Sequence, residues 1–208
     1  MSGVAVLGVG AVGAALGQRL TEVGRDVVFG IRPGRDVAAL LASCGGRATA
    51  APLAEACARA AVVFVALPAE DAVAALTDAP LADRVVVDCT NPVDWRGAPV
   101  WAPPPAGSMT AELAAAHPRA RLVKGFATFG ASFHRDPQLA GRGVDVHLAG
   151  DDEAAKQTVA EIARTAGFTP LDCGPLRNAA LLENLAVLWI HLARHGRGRD
   201  FAFQAVQR

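Results

Sequence analysis

Short apolar runs rich in β-branched residues alternate along this chain with stretches of helical periodicity. The apolar runs at residues 4–7, 26–29, 61–67, 85–88, 122–123 and 144–149 predict strands. The stretches at 11–23, 36–43, 69–77, 109–116 and 151–166 predict helices, with a short strand at 48–50 leading into a helix at 53–58. Such alternation predicts a mostly parallel sheet with helices on both faces. Residues 61–67 and 85–87 are apolar without a break, as strands buried on both sides should be.

Two long connections interrupt the rhythm. Residues 91–107 hold Pro92, Pro99, Pro103, Pro104 and Pro105 together with Trp95 and Trp101, and residues 126–143 hold Phe126, Phe129 and Phe133. Each begins where a strand ends, the edge at which open α/β sheets bind ligands, so a second-substrate cleft is expected below residues 126–133. The last helix, at 176–194, is apolar almost all round, with Arg177, Asn184 and His191 as one polar stripe and Glu183 beside it. Leu185, Leu188, Trp189 and Leu192 recur on it at helical spacing, and little chain follows to cover them. A partner subunit in a homodimer is the expected cover, the other option being a helix docked across its own sheet. The division expected is a nucleotide-binding unit at 1–173 and a helical segment at 174–208 that walls the cleft.

The first strand ends in Gly8-Val-Gly10-Ala-Val-Gly13, where the first helix begins. Gly8 permits a tight turn, Gly10 lets a pyrophosphate approach the backbone, and Gly13 lets helix pack on strand. The free N–H groups and partial positive charge of the helix N-terminus complete a dinucleotide site of Rossmann type. An NAD site places a carboxylate after the second strand. This chain has Arg32 and Arg35 there, with Asp36 the first acid, which predicts the 2′-phosphate of NADP.

Composition removes other classes. Twenty basic residues balance twenty acidic ones, with no basic run, so neither nucleic acid nor an anionic membrane has a footprint. Cys44, Cys57, Cys89 and Cys173 have no metal-type or disulfide-framework spacing, which predicts reduced thiols in the cytoplasm and no metal site. No apolar stretch reaches the ~20 residues of a membrane helix, and the first apolar run lacks the basic leader of a signal peptide.

With these residues in view the chain resembles the bacterial relatives of NADPH:coenzyme F420 oxidoreductase over nearly its whole length. The resemblance runs through Gly8–Gly13, Val28-Phe-Gly-Ile-Arg32, Val63-Phe-Val-Ala-Leu-Pro68 and Val85-Val-Val-Asp-Cys-Thr-Asn-Pro92. It continues through Val123-Lys-Gly-Phe126, Ala149-Gly-Asp-Asp152, residues 167–178 and the closing Leu182-Glu-Asn-Leu-Ala-Val-Leu-Trp-Ile-His-Leu192. It implies hydride transfer between NADP and the deazaflavin coenzyme F420. Gly8, Gly10, Ala11, Val12, Gly13, Arg32 and Arg35 would hold NADP, Leu67 and Pro68 would flank it, and Asn91 and Ala127 would border it. The chain departs from the family at Ile31, where Ser or Asn is usual, and at Ala127, where a polar Asn or His is usual. The second departure lies beside the reacting rings and bears on the second substrate.

Hydride transfer between two cofactors needs positioning more than acid–base help. Thr90 and Asn91 carry a hydroxyl and an amide that suit a nicotinamide carboxamide or a substrate carbonyl, or form a plain Asn-Pro turn. Lys124 ends a strand, reaching the cleft or solvent, and Thr128 follows Ala127. His117, His134, His147, His191 and His195 are scattered, which marks them as surface or structural. Two other readings stay open. One is an imine or carbonyl reductase like pyrroline-carboxylate reductases; its β-hydroxyacid branch needs a lysine where Leu181 stands before Asn184. The other is a non-enzymatic NADP-sensing module.

Overall fold

A computed structural model describes residues 3–207. Six parallel strands form the central sheet: β1 (Val4–Leu7), β2 (Val27–Ile31), β3 (Ala48–Pro52), β4 (Val62–Val65), β5 (Val85–Asp88) and, after the hairpin of β6 (Val93–Trp95) and β7 (Pro99–Trp101), β8 (Arg121–Lys124). Their order is β3-β2-β1-β4-β5-β8, so the winding of the strand order reverses between β1 and β4. The fold is the expected Rossmann-type doubly wound sheet with a C-terminal helix.

The helices are α1 (Ala11–Glu22), α2 (Ala38–Ala42), α3 (Leu53–Ala58), α4 (Ala69–Ala75), α5 (Met109–Ala116), α6 (Ala131–Arg135), α7 (Glu153–Thr165) and α8 (Ala179–Leu192). Strand residues β1, β4 and β5 are buried throughout and alternate between two cores. Val4, Val6, Phe64 and Val87 face a cluster with Leu16 and Leu20 of α1 and Val159 of α7. Ala5, Leu7, Val63 and Val65 face the other, with Ala56 of α3, Ala72 of α4 and Leu113 of α5. This period of two, apolar on both faces, is why those runs read as unbroken hydrophobic segments. Helix starts follow local chemistry: Ser108 accepts from Ala111 N at 3.1 Å before α5, and Asp152 accepts from Ala155 N at 2.9 Å before α7.

Three expectations are corrected. The run at 144–149 is a strand, β11 (Asp145–Leu148), but it lies outside the main sheet. It pairs in parallel with β12 (Thr169–Asp172) and touches β8 through one bridge, Lys124 with Ala149. β12 is unmarked in the sequence because Pro170 breaks its pattern; the proline is accommodated on an edge. The long connection at 126–143 also folds, into α6 and a hairpin of β9 (Gln138–Leu139) and β10 (Arg142–Gly143). Its phenylalanines turn into the core. Phe126, Phe129 and Phe133 are buried, with Phe126 edge-on to Phe64 at 5.5 Å and to Phe168 at 5.3 Å. Finally, Trp189 of α8 is covered within the chain: it stacks on Phe201 at 5.3 Å and donates to the Phe201 carbonyl at 2.8 Å.

His134 explains how the Phe126 turn holds. Phe126 sits at φ 57°, a left-handed conformation unusual for a bulky residue. The fully buried His134 ring lies with Nε2 2.9 Å from the Phe126 carbonyl and Nδ1 3.3 Å from the Gly130 carbonyl, and its neutral form donates to one of the two. Burial holds this imidazole down at about 4, against an ordinary value of 6.5. The unfolded chain therefore takes up a proton below pH 6.5 that the folded chain refuses, and stability falls as pH drops. Stability should fall by about 2–3 kcal/mol from this residue between pH 7 and pH 4.5. His134→Gln should flatten that fall in urea titrations, without abolishing it, because burial also lowers His147.

Candidate functional site

The switch between β1 and β4 opens a cleft of about 700 Å³, lined by residues 8–12, 30–35 and 66–68 together with Leu53. Each glycine of the opening motif has a separate geometric reason. Gly8 has φ 94°, and a Cβ there would lie 2.5 Å from the Ala66 carbonyl oxygen. A Cβ on Gly13 would overlap the Gly8 carbonyl oxygen, so only glycine lets α1 close on the strand end. A Cβ on Gly10 would meet nothing within 4 Å. The space above Gly10 is thus open to a ligand, and the other two glycines shape the turn beneath it. Gly10 caps α1 with no side-chain hydrogen bond, and no acidic residue stands in the first turn, so the amides there face the cleft unclaimed.

Arg32 and Arg35 line the same cleft, which has no carboxylate among its described lining residues. Both are exposed, and Arg32 reaches Asp71 of α4 at 3.7 Å across the mouth. An ion pair this long and this exposed holds the guanidinium weakly, leaving it available to a phosphate. Leu67 and Pro68 form the cleft wall on the β4 side. These residues fit a dinucleotide carrying an extra phosphate: open backbone for the pyrophosphate, free amides at a helix end, and cations where the second strand stops.

The remaining candidates gather at the ends of β5 and β8. Asn91 donates from Nδ2 to the Ala127 carbonyl at 2.8 Å, which ties the two loops together. Thr128 is buried and shares a 3.0 Å hydrogen bond with Nδ1 of His147, away from the cleft. Lys124 reaches neither cleft nor solvent, contrary to both options read from the sequence. It is wholly buried, with Nζ 3.0 Å from Asp88 Oδ2, 3.5 Å from Glu183 Oε1, and in contact with the Thr90 carbonyl. The parallel pairing of β5 and β8 puts Asp88 opposite Lys124, both pointing inward. Thr90 is buried too, its amide and hydroxyl donating to Asp88 Oδ1 at 2.9 and 2.7 Å.

Glu183, which the sequence shows only as an acid beside the polar stripe of the last helix, has a role there that only the fold reveals. It sits fully buried on α8, accepting from Trp101 Nε1 at 2.9 Å and from the Met109 amide at 2.8 Å. Burial pushes its carboxyl up, and the Lys124 ammonium opposes that rise. A lone acid inside the apolar run Leu181–Leu192 was the available signal; its partner lies fifty-nine residues away and is invisible without the fold. The described residues contain no group of three or more metal-ligating side chains.

Comparison with known proteins decides the family. Residues 3–92, from β1 to the turn after β5, match the family model of coenzyme F420-dependent NADP oxidoreductases. A crystal structure of a protein described as an F420-dependent NADP reductase, from Arthrobacter sp. FB24, is 30% identical over 100% of both chains, with a TM-score of 0.91. The chain belongs to this family. It is an NADP-dependent oxidoreductase. The metalloreductase STEAP3 of Rattus norvegicus is 33% identical over 183 residues, 86% of this chain, which spans 35% of that longer protein. A reductive aminase from Aspergillus terreus, solved with NADPH, shares the fold at a TM-score of 0.67 and 17% identity, over 90% of this chain and 60% of its own. No described helix of this family member is long and apolar enough to cross a membrane.

The glycine geometry separates turn from ligand site. Gly13→Ala should destabilise the protein by about 3 kcal/mol, since backbone must move to admit the methyl group. Gly10→Ala should shift the thermal midpoint by no more than ~1–2 °C, a few tenths of a kcal/mol at a cap. Thermal melts of the two variants check both.

Proposed function

We propose that this oxidoreductase moves a hydride between NADP(H) and coenzyme F420, with the two held side by side at the C-terminal edge of the sheet. Gly8, Gly10, Ala11, Val12 and Gly13 cradle the pyrophosphate, Arg32 and Arg35 take the 2′-phosphate, and Leu67 and Pro68 flank the nicotinamide ribose. Asn91 and Ala127 border the nicotinamide, their loops joined by the hydrogen bond between them. The observation that carries the cofactor reading is the open space above Gly10 at an uncapped helix start. The deazaflavin reading is supported by full-length likeness to the Arthrobacter protein. NADP(H) supplies the hydride chemistry; the chain's part is to bind, orient and exclude water.

We also propose a homodimer through α8. Its outer face presents Leu181 and Leu188, 65% and 47% exposed, with Leu185 and Leu192 half-buried between and beyond them. The spacing of i, i+4, i+7 and i+11 makes one stripe suited to a second copy of the same helix. Trp189 is no part of it, being covered by Phe201.

Three measurements follow. Arg32→Ala should weaken NADPH by ~1.5–3 kcal/mol, the loss of a charge-assisted contact, and leave NADH nearly unchanged in calorimetry. Equal losses would remove the 2′-phosphate assignment. Absorbance at the nicotinamide band should fall when NADPH meets oxidised F420. Turnover with cyclic imines alone, or tight binding with no turnover, would replace the deazaflavin reading by the reductase or the sensor. Light scattering at micromolar concentration should give a dimer for the wild type and a monomer for Leu188→Glu, whose charge an apolar seam cannot solvate.

A further inference from the structure

Lys124, Asp88 and Glu183 have no task in the hydride step, yet all three side chains are 0% exposed. Their polar atoms are fully used. The three N–H bonds of Lys124 face three acceptors: Asp88 Oδ2, Glu183 Oε1 and the Thr90 carbonyl. Asp88 Oδ2 also accepts from Thr110 Oγ1 at 2.6 Å, and its Oδ1 takes the amide and hydroxyl of Thr90. Glu183 takes Trp101 and the Met109 amide. One cluster therefore joins β5, β8, the β6–β7 hairpin, the first turn of α5, and α8.

Such a cluster is poor value as a stabiliser, because apolar residues of the same volume usually serve as well or better. What it does that apolar packing cannot is fix direction. Every polar group of Thr90 (amide, hydroxyl and carbonyl) is held by the buried charges, and the next residue is Asn91, whose amide bridges to Ala127. The adenine half of the cleft, with Arg32 and Gly10, touches none of this. A second clamp sits at the other end of the hairpin, where the Arg194 guanidinium lies 4.3 Å above the Trp95 ring.

We propose that Lys124 and Glu183 are positioning residues, through which the seating of α8 sets the Thr90–Asn91 turn and so the nicotinamide half of the cleft. The proposal rests on the NADP reading above. It gives α8 a role beyond packing on β7 and α5: a shift of the helix reaches the Thr90–Asn91 turn through two hydrogen bonds, Glu183 to Lys124 and Lys124 to the Thr90 carbonyl, and bypasses the adenine half.

The test uses the full chain and two ligands, adenosine 2′,5′-bisphosphate for the adenine half and NADP for the whole cleft, titrated by calorimetry. Glu183→Gln keeps the side chain's shape and removes its charge. It should weaken NADP by about tenfold, within the usual range of coupling between sites, and leave the bisphosphate within about twofold. Thr110→Val, which deletes one bond to Asp88 and no charge, should shift the same ratio less; it carries the test if the Glu183 variant does not fold. Equal weakening of both ligands would make the cluster a structural element only, and no weakening of either would remove the coupling. Both outcomes overturn the proposal. A wild-type protein that fails to bind the bisphosphate would overturn the NADP reading itself.

Discussion

An ammonium group sealed from water must find a partner for each of its three N–H bonds, and much of the C-terminal half of this protein is arranged around Lys124 for that purpose. Asp88 comes from the neighbouring strand, the Thr90 carbonyl from the turn that follows, and Glu183 from a helix ninety-five residues further along than Asp88. Removing Lys124 would leave two buried carboxylates without their counter-charge, a loss of several kcal/mol. The hairpin and α5 are drawn in as well, because Glu183 needs Trp101 and the Met109 amide to complete its shell.

The N-terminal half is built on another principle. There the ligand site is made of backbone: a left-handed glycine, a helix start without a cap, and a glycine whose missing Cβ leaves open space. Its two arginines are exposed, and Arg32 is held only by a long ion pair to Asp71, which leaves both free for the phosphate contact proposed above. The structure thus sets a cleft lined by exposed cations apart from the loops after β5 and β8, which are fixed by charges no solvent can screen. That division suits hydride transfer, in which affinity comes from the phosphates and rate comes from holding two ring systems at reacting distance.

The aromatic core supports the rigid half. Phe126 carries the strain of its left-handed turn because Phe64 and Phe168 pack edge-on around it and His134 binds its carbonyl. Strain of this kind persists only where the surroundings over-determine it. It sits one residue before Ala127, whose carbonyl receives Asn91, so the packing beneath the loop and the ion cluster beside it hold the same point from two sides.

The sequence by itself determined the sheet of parallel strands, the dinucleotide turn and the basic end of the second strand, because each rests on residues close together in the chain. Period-two burial, three glycines at fixed spacing and an arginine in place of an acid are local patterns, and the elements they predicted lie within a residue or two of the observed ones. Only the tertiary structure decided the rest. That Phe126, Phe129 and Phe133 fill a core depends on Phe64 and Phe168, far away in sequence. That Trp189 is covered by its own tail depends on the reversal after Gly196, with φ 88°. And Lys124 and Glu183 read as a strand-end lysine and a helix-face acid until the fold places them together. Charges pair across any sequence separation, and no periodicity records a partner that only the closing of the chain brings within reach.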